Sequence, residues 1–255
     1  MTLRRQLREV VLGRGDYAAG GACTRPFLDQ DGARRRRPMV LGEVQGIPSE
    51  CEGLVASMFS GRAGDPCEWA VMWKEIGADG ICLRTDGLDA EEASALARAV
   101  SDRTRLPMAV SGDSEVLDAV ASAVTDSILV LMGSPDSPGN HAVAHPVSEI
   151  DEARSIPPDE KRMLLVTGMF PDSTPLMLMR SLRESALEGD EGCDAPVVYD
   201  ATPVWEMGFD DARGASMTEG EAALTAMLAG ADAVIVRGPG AADMARVYGE
   251  ELADL

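Results

Sequence analysis

Gly77-Ala78-Asp79-Gly80-Ile81-Cys82-Leu83-Arg84 recurs near the other end of the chain as Gly230-Ala231-Asp232-Ala233-Val234-Ile235-Val236-Arg237. Each stretch follows a segment with helical spacing of its apolar residues, so each reads as helix, glycine cap, buried strand. Glycine reaches the left-handed conformation that closes a helix, and a short unalternating apolar run suits a parallel strand covered on both faces. Two copies of one unit, so far apart, predict that the same alternation runs through the chain.

Working outward, Pro38 precedes an apolar strand at Met39 to Val44, and proline suits a strand's first position. Asp65-Pro66-Cys67-Glu68 supplies an N-cap, a proline at the first helical position and a capping-box acid, which predicts a helix over Pro66 to Ile76. Strand two follows at Gly80 to Arg84. Asp89 and Glu92 bracket a helix to about Ser101, then come strand three at Met108 to Ser111, a helix from Ser114, and strand four at Ile128 to Met132. Ser134 to Asn140 is rich in Pro, Gly and Ser, so the fourth crossover reads as a loop or degenerate helix before strand five at Ala142 to His145. A short helix at Ser148 to Arg154, strand six at Met163 to Thr167, a helix over Thr174 to Glu188 and strand seven at Pro196 to Tyr199 continue the pattern. Thr218-Glu219-Gly220-Glu221 reads as a capping box opening another helix, and strand eight is Ala233 to Arg237. Eight alternating units in 255 residues predict an α/β fold, a single TIM (β/α)8 barrel over residues 38–255, with residues 1–37 as an N-terminal extension packing on it. A doubly wound open sheet is the runner-up.

Composition narrows the function classes. With 45% hydrophobic residues the chain can bury a full core, and a formal charge of -20 disfavours nucleic acid and anionic membrane as partners. The basic run Arg34 to Arg37 reads as an edge or interface feature. Five cysteines, widely spaced and without a CxxC pair, offer no zinc or iron–sulfur framework, which points to a reducing cytoplasm. The sequence shows no run of eighteen apolar residues and no signal-peptide core, so a soluble, cytoplasmic protein is expected.

The functional residues of such a barrel stand at the C-terminal ends of its strands. Those positions include Glu43, Gln45, Arg84, Thr85, Ser111, Gly133, Ser134, His145, Thr167, Gly168, Asp200, Thr202 and Arg237. Lys74 belongs to an outer helix and Lys161 to the opposite barrel face, so a Schiff-base aldolase has no lysine at the mouth. His141 and His145 lie four apart, but on a loop and a strand rather than a helix, so they do not read as a paired helical metal site. Glu43 and Asp200 are candidates for an acid/base pair, with the competing reading that they orient Arg84 and Arg237. Gly238-Pro239-Gly240 stands where many barrels bind phosphate, and reads equally as the turn into a helix. The 14 methionines fit core filling in a chain with 4% aromatics, although Met169, Met207 and Met217 fall in predicted loops. Trp205, in the loop after strand seven, reads as a lid anchor or an interface contact.

Several ordered segments carry a resemblance. Val10-Val11-Leu12-Gly13, Gly20-Gly21, Pro26-Phe27-Leu28 and Arg37-Pro38-Met39-Val40-Leu41-Gly42-Glu43-Val44 resemble the opening of the small (delta) subunit of the corrinoid iron–sulfur protein of acetyl-CoA decarbonylase/synthase. The likeness continues through Asp65-Pro66-Cys67-Glu68-Trp69-Ala70, Met179-Arg180-Ser181-Leu182-Arg183, Ala195-Pro196-Val197-Val198 and Leu228 to Arg237. The chain departs from that family after strand six, where only Thr167 and Gly168 match, and after strand eight, where it has Arg237-Gly238-Pro239-Gly240.

The resemblance implies a TIM barrel that is not itself the catalyst. It would pair with a larger subunit carrying a corrinoid (cobalamin) and an iron–sulfur cluster, and help enclose the corrinoid during methyl transfer from a methyltetrahydropterin to acetyl-CoA synthase. Methyltransferase and acetyl-CoA synthase would be transient partners, no iron–sulfur cluster or metal would sit on this chain, and Glu43, Thr85, Ser111, Ser134, His145, Thr167, Gly168, Thr202 and Arg237 would face the cofactor. The alternatives are a pterin-dependent methyltransferase, for which Asn140 is the sole asparagine, and a diverged barrel lyase.

Overall fold

The computed structural model describes residues 7–21, 36–47 and 53–254. A short antiparallel hairpin, β1 (Glu9–Leu12) and β2 (Tyr17–Gly20), precedes eight parallel strands. These are β3 (Met39–Gln45), β4 (Gly80–Arg84), β5 (Met108–Ser111), β6 (Val130–Met132), β7 (Ala142–Pro146), β8 (Arg162–Thr167), β9 (Val197–Asp200) and β10 (Ala233–Val236). They close in the order β10-β3-β4-β5-β6-β7-β8-β9, so the chain is a TIM barrel and the open sheet is set aside. The outer ring holds α1 (Leu54–Met58), α2 (Pro66–Ile76), α3 (Ala90–Thr104), α4 (Ser114–Ala123), α5 (Ile150–Ser155), α6 (Thr174–Leu187), α7 (Ala212–Ala229) and α8 (Pro239–Asp254).

The repeated Gly-Ala-Asp stretch explains how strands are seated. Gly77 and Gly230 adopt left-handed backbone at φ 92° and 116° and close α2 and α7. The aspartate two residues later then reaches sideways to the neighbouring strand. Asp79 accepts the Val40 N–H at 2.9 Å, and Asp232 accepts the Val197 N–H at 2.8 Å. Each carboxylate also takes an arginine, Arg37 in a bidentate pair at 2.6 and 2.7 Å and Arg183 in a close contact. Bidentate pairs are the geometrically specific kind. Of the basic run, Arg37 is thus a staple beneath β3 and Arg36 pairs with Glu9; Arg34 and Arg35 lie outside the described residues, as do Cys23 and Cys51.

Side chains alternate between two cores. Met39 and Leu41, Cys82, Ala109, Val130 and Met132, Ala142 and Ala144, Met163 and Leu165, Val198, Ala233 and Ile235 fill the barrel interior. Val10, Leu12 and Ala19 of the hairpin join this cluster, so the hairpin stoppers the barrel from below. Reciprocal backbone bonds between Gly13 and Ile128, at 2.9 and 2.7 Å, fasten it to the chain entering β6. The intervening positions pack outward against the helices, with Trp69, Trp73 and Phe59 fully buried and both indoles in ring contact with Phe59.

Three elements differ from the sequence expectation. The helix expected to open at Thr218-Glu219 begins at Ala212, capped by Asp211, because the Asp211 side chain accepts the Gly214 N–H at 2.7 Å. The short α1 and a 3-10 turn at Arg62–Gly64 had no clear signal. Asp65 caps α2 as expected, accepting from Cys67 and Glu68, but the Glu68 carboxylate pairs with Arg62 and Arg103. The fourth crossover carries no helix, as its composition indicated, and the capping box of α3 on Asp89 and Glu92 is present.

Gly42 fixes the distance between β3 and α2. A Cβ there would fall inside the Trp73 indole, whose Nε1–H donates to the Glu43 carbonyl at 2.7 Å. Gly42→Ala is therefore expected to destabilise the fold by about 3 kcal/mol, the upper range for overpacking, read as a lowered denaturant midpoint at unchanged slope.

Candidate functional site

Continuing the inward alternation to the C-terminal ends of the strands brings Glu43, Arg84, Ser111, Thr167, Asp200 and Arg237 to the mouth of the barrel. Four of these form one network. Arg84 donates from Nε to Glu43 Oε1 at 2.9 Å and from Nη2 to Asp200 Oδ2 at 2.6 Å. Arg237 holds the other side of the same glutamate, with Nε on Oε2 and Nη2 on Oε1 at 3.2 Å. Thr202 completes Asp200, donating its N–H at 3.1 Å and its hydroxyl at 2.8 Å to Oδ1. The network spans β9, β10, β3 and β4, and its formal charges cancel.

Burial sets the electrostatics. The Glu43 side chain is 1% exposed, whereas Arg84 and Arg237 retain 16% and 20%, so the guanidinium groups form the face that meets solvent. Burial alone would lower Arg84, but the flanking charges, Asp200 and Glu43 among them, hold it well above its ordinary value. Beneath the network, burial pushes the Cys82 thiol up to about 12, which keeps it protonated and unreactive. Two buried polar atoms beside Arg84, Gln45 Oε1 and Ser111 Oγ, have no hydrogen-bond partner among the described residues. Gln45 and Ser111 are the register neighbours of Arg84 on β3 and β5. Buried polar atoms in folded proteins are nearly always satisfied by protein or by water, and these two have that capacity left to give at the mouth.

Behind Arg237 stands a residue that the sequence pattern presents as a helix start. Glu219 is fully buried on α7, and its two oxygens accept the N–H groups of Arg237 at 2.7 Å and Gly238 at 2.8 Å. Burial raises its carboxyl to about 8, against the two backbone bonds. Ser216, one turn earlier, accepts the Ala241 N–H at 2.9 Å. The turn Gly238-Pro239-Gly240 thus leads into α8 with the amides of Arg237, Gly238 and Ala241 already engaged. The Asp210-Asp211 pair upstream is the sequence signal that places Glu219 mid-helix.

The expected cofactor-facing residues divide. Glu43, Ser111, Thr167, Thr202 and Arg237 come together at the mouth; Thr85 is buried beside it, donating its hydroxyl to the Ser111 carbonyl at 2.5 Å. Gly168 lies at the rim, tight against Pro175, with its carbonyl accepting from Tyr199. His145 and Ser134 do not face the mouth. Because Ala142 and Ala144 point inward, His145 points to the outer wall, where it and Ser134 line a groove of about 520 Å³ left by the missing fourth helix. His141 is a staple between Leu129 N–H at 3.1 Å and Ala121 carbonyl at 3.0 Å. Asn140 sits at the opposite end of the barrel against Lys161, and Lys74 is on α2. Met169 and Met207 are exposed at the rim, Met217 projects from α7 rather than a loop, and Trp205 is half-buried in a 3-10 turn over Thr202–Met207. Glu43 and Asp200 both orient arginine, as the competing reading of the pair has it. No group of metal-ligating side chains occurs among the described residues, and no helix among them is long and apolar enough to cross a membrane.

Among solved structures, the chain is similar to a dihydropteroate synthase from Thermus thermophilus in complex with 4-aminobenzoate, at 16% identity and a TM-score of 0.58, covering 96% of this chain and 99% of that one. A Xanthomonas albilineans dihydropteroate synthase in complex with 7,8-dihydropteroate gives 16% identity and 0.57 over 84% and 93%. Thiamine phosphate pyrophosphorylase from Pyrococcus furiosus gives 18% and 0.52 over 86% and 98%. At such identities the likeness shows the barrel fold alone, and the fold serves different chemistries. No protein-family model and no curated protein sequence matches the chain.

Two outcomes follow from the charges. Replacing Arg84 by Met strands Glu43 and Asp200 and is expected to cost about 3–5 kcal/mol in chemical unfolding, since each is left buried with an incomplete set of partners. Glu219 has a folded value near 8 against an ordinary 4.5, so the native state holds the extra proton between them. Its contribution is complete below the lower value and is lost as pH rises toward 8, by less than about 5 kcal/mol. Unfolding measured across pH 5 to 8 should show this decline in the wild type, and a flatter profile in Glu219→Gln.

Proposed function

We propose that this chain is a non-catalytic barrel subunit of pterin-linked one-carbon metabolism, whose mouth helps enclose a corrinoid held mainly by a larger corrinoid/iron–sulfur subunit during methyl transfer. The observation that carries this reading is the neutralised mouth: both inward carboxylates are committed to Arg84 and Arg237, which leaves a surface equipped to hold and not to react. The ordered sequence resemblance supports the choice of cofactor.

The residues present fit such a group. A corrinoid carries amide side chains around its rim, and Ser111 Oγ and Gln45 Oε1 are buried polar atoms lacking partners at the mouth, with Thr167 exposed across it at the end of β8. Ser111, Gln45 and Thr167 would hold the amides, and Arg84 and Arg237 would offer their remaining N–H groups. Exposed Met169 and Met207 would cover the apolar parts and exclude water. When bound, the corrinoid supplies the cobalt that carries the methyl group. The protein's part is to orient it and shield it.

A second reading, a pterin bound in the barrel itself, is favoured by the likeness to dihydropteroate synthases, one of them holding 7,8-dihydropteroate. It is weakened by Asn140, the sole asparagine, lying at the far end of the barrel. Visible absorbance and gel filtration with hydroxocobalamin separate the two, on the chain alone and after co-expression with a corrinoid-domain protein encoded beside it. The expected result is a coloured complex only with the partner. Micromolar calorimetric binding of methyltetrahydrofolate by the isolated chain would transfer the assignment to the pterin reading, and neither complex nor pterin binding would sink both.

A further inference from the structure

Barrels of this architecture commonly bind phosphate after their last strand, where backbone N–H groups and a helix N-terminus converge. Here those N–H groups are already engaged from inside the chain. The amides of Arg237 and Gly238 donate to the two oxygens of Glu219, and the amide of Ala241 donates to Ser216 Oγ. Glu219 and Ser216 stand on one face of α7, both buried. A Cβ at Gly238 would collide with the Ser216 hydroxyl and crowd Glu219 Oε2, so the turn is moulded to these two side chains.

A carboxyl group in this position is an unfavourable way to finish a turn. Taking it out of water opposes folding, and a serine or threonine hydroxyl could satisfy one amide with a smaller desolvation penalty. What a carboxyl uniquely provides is two oxygens on one centre, each accepting an N–H, which is how a phosphate would present itself to the same amides. On the other side of the turn lies a pocket of about 550 Å³, lined in part by Arg213, Ser216, Pro239 and Gly240.

We infer that Glu219 is a specificity-determining residue: its side chain occupies the phosphate position at β10, so the mouth takes ligands with no phosphate there. This goes beyond the proposed function and does not depend on which ligand the mouth holds. A phosphate arriving at β10 finds the amides of Arg237, Gly238 and Ala241 already bonded and a carboxyl group in its place.

The test is titration of the full, isotope-labelled chain with inorganic phosphate, following the amide resonances of Arg237 and Gly238, with chloride at matched ionic strength as control. The wild type should show no phosphate-dependent shift at these amides. Glu219→Ala and Glu219→Ser should show one, with binding at least about tenfold tighter than to the wild type, equivalent to about 1.4 kcal/mol. Equal shifts in the wild type, or none in a folded Ala or Ser variant, would overturn the inference. A variant that is unfolded in chloride is expected to refold in phosphate, and one that stays unfolded in both counts against it.

Discussion

A buried carboxylate needs its charge answered on the spot, and Glu43 is the residue around which this barrel is arranged. Lying on β3, it is held by Arg84 from β4 and Arg237 beyond β10, and Arg84 extends the connection to Asp200 on β9. Four strands are therefore tied across the seam where the last strand of the barrel meets the first. Removing any member leaves another charge stranded in a medium that penalises it, so the four residues hold their geometry together or lose it together. The same requirement explains why the mouth is neutral on a chain of net charge -20: the surplus acid lies elsewhere, and each inward acid has been matched.

At the lower end of the strands aspartates do comparable work on the backbone. Asp79 and Asp232 each cap an N–H of the preceding strand and are themselves fixed by an arginine, Arg37 or Arg183. Glu219 applies this chemistry at the upper end, from α7 to the turn after β10. Carboxylates thus finish the main chain at both ends of the barrel. Chains that rely on side-chain carboxyls for backbone satisfaction lose solvation energy but gain fixed junctions between helix and strand.

Much of this was written locally. Helix starts at Asp65 and Asp89, helix ends at Gly77 and Gly230, and unalternating strands such as Ile81-Cys82-Leu83 follow from chemistry confined to a few neighbouring residues, and they appear where the sequence puts them. The arginine-orienting role of Glu43 and Asp200 was also within reach, since strand ends converge in any closed barrel. Glu219 was not. Asp210-Asp211 is the one mark of its helix start; Ala212 to Ala229 is dominated by small residues, so no apolar contrast reinforces that mark, and a Thr-Glu pair inside the helix imitates a cap. His145 failed for a different reason: Ala142 and Ala144 are small enough for either face of the strand, and only the absent fourth helix shows which side is the wall.

That absent helix has a mechanical meaning. The strands run around the barrel so that the β6–β7 join, where the helix is missing, lies diametrically opposite the β10–β3 join, where the ion pairs sit. One side of the hoop is bolted and doubly walled; the other is a bare stave of three- and five-residue strands covered by a proline-bearing loop. Opening free energy is unevenly distributed in such a structure and is lowest where cover is thinnest. The cheapest place to open this barrel is therefore the side away from its charged seam, farthest from the mouth residues on β9, β10, β3 and β4.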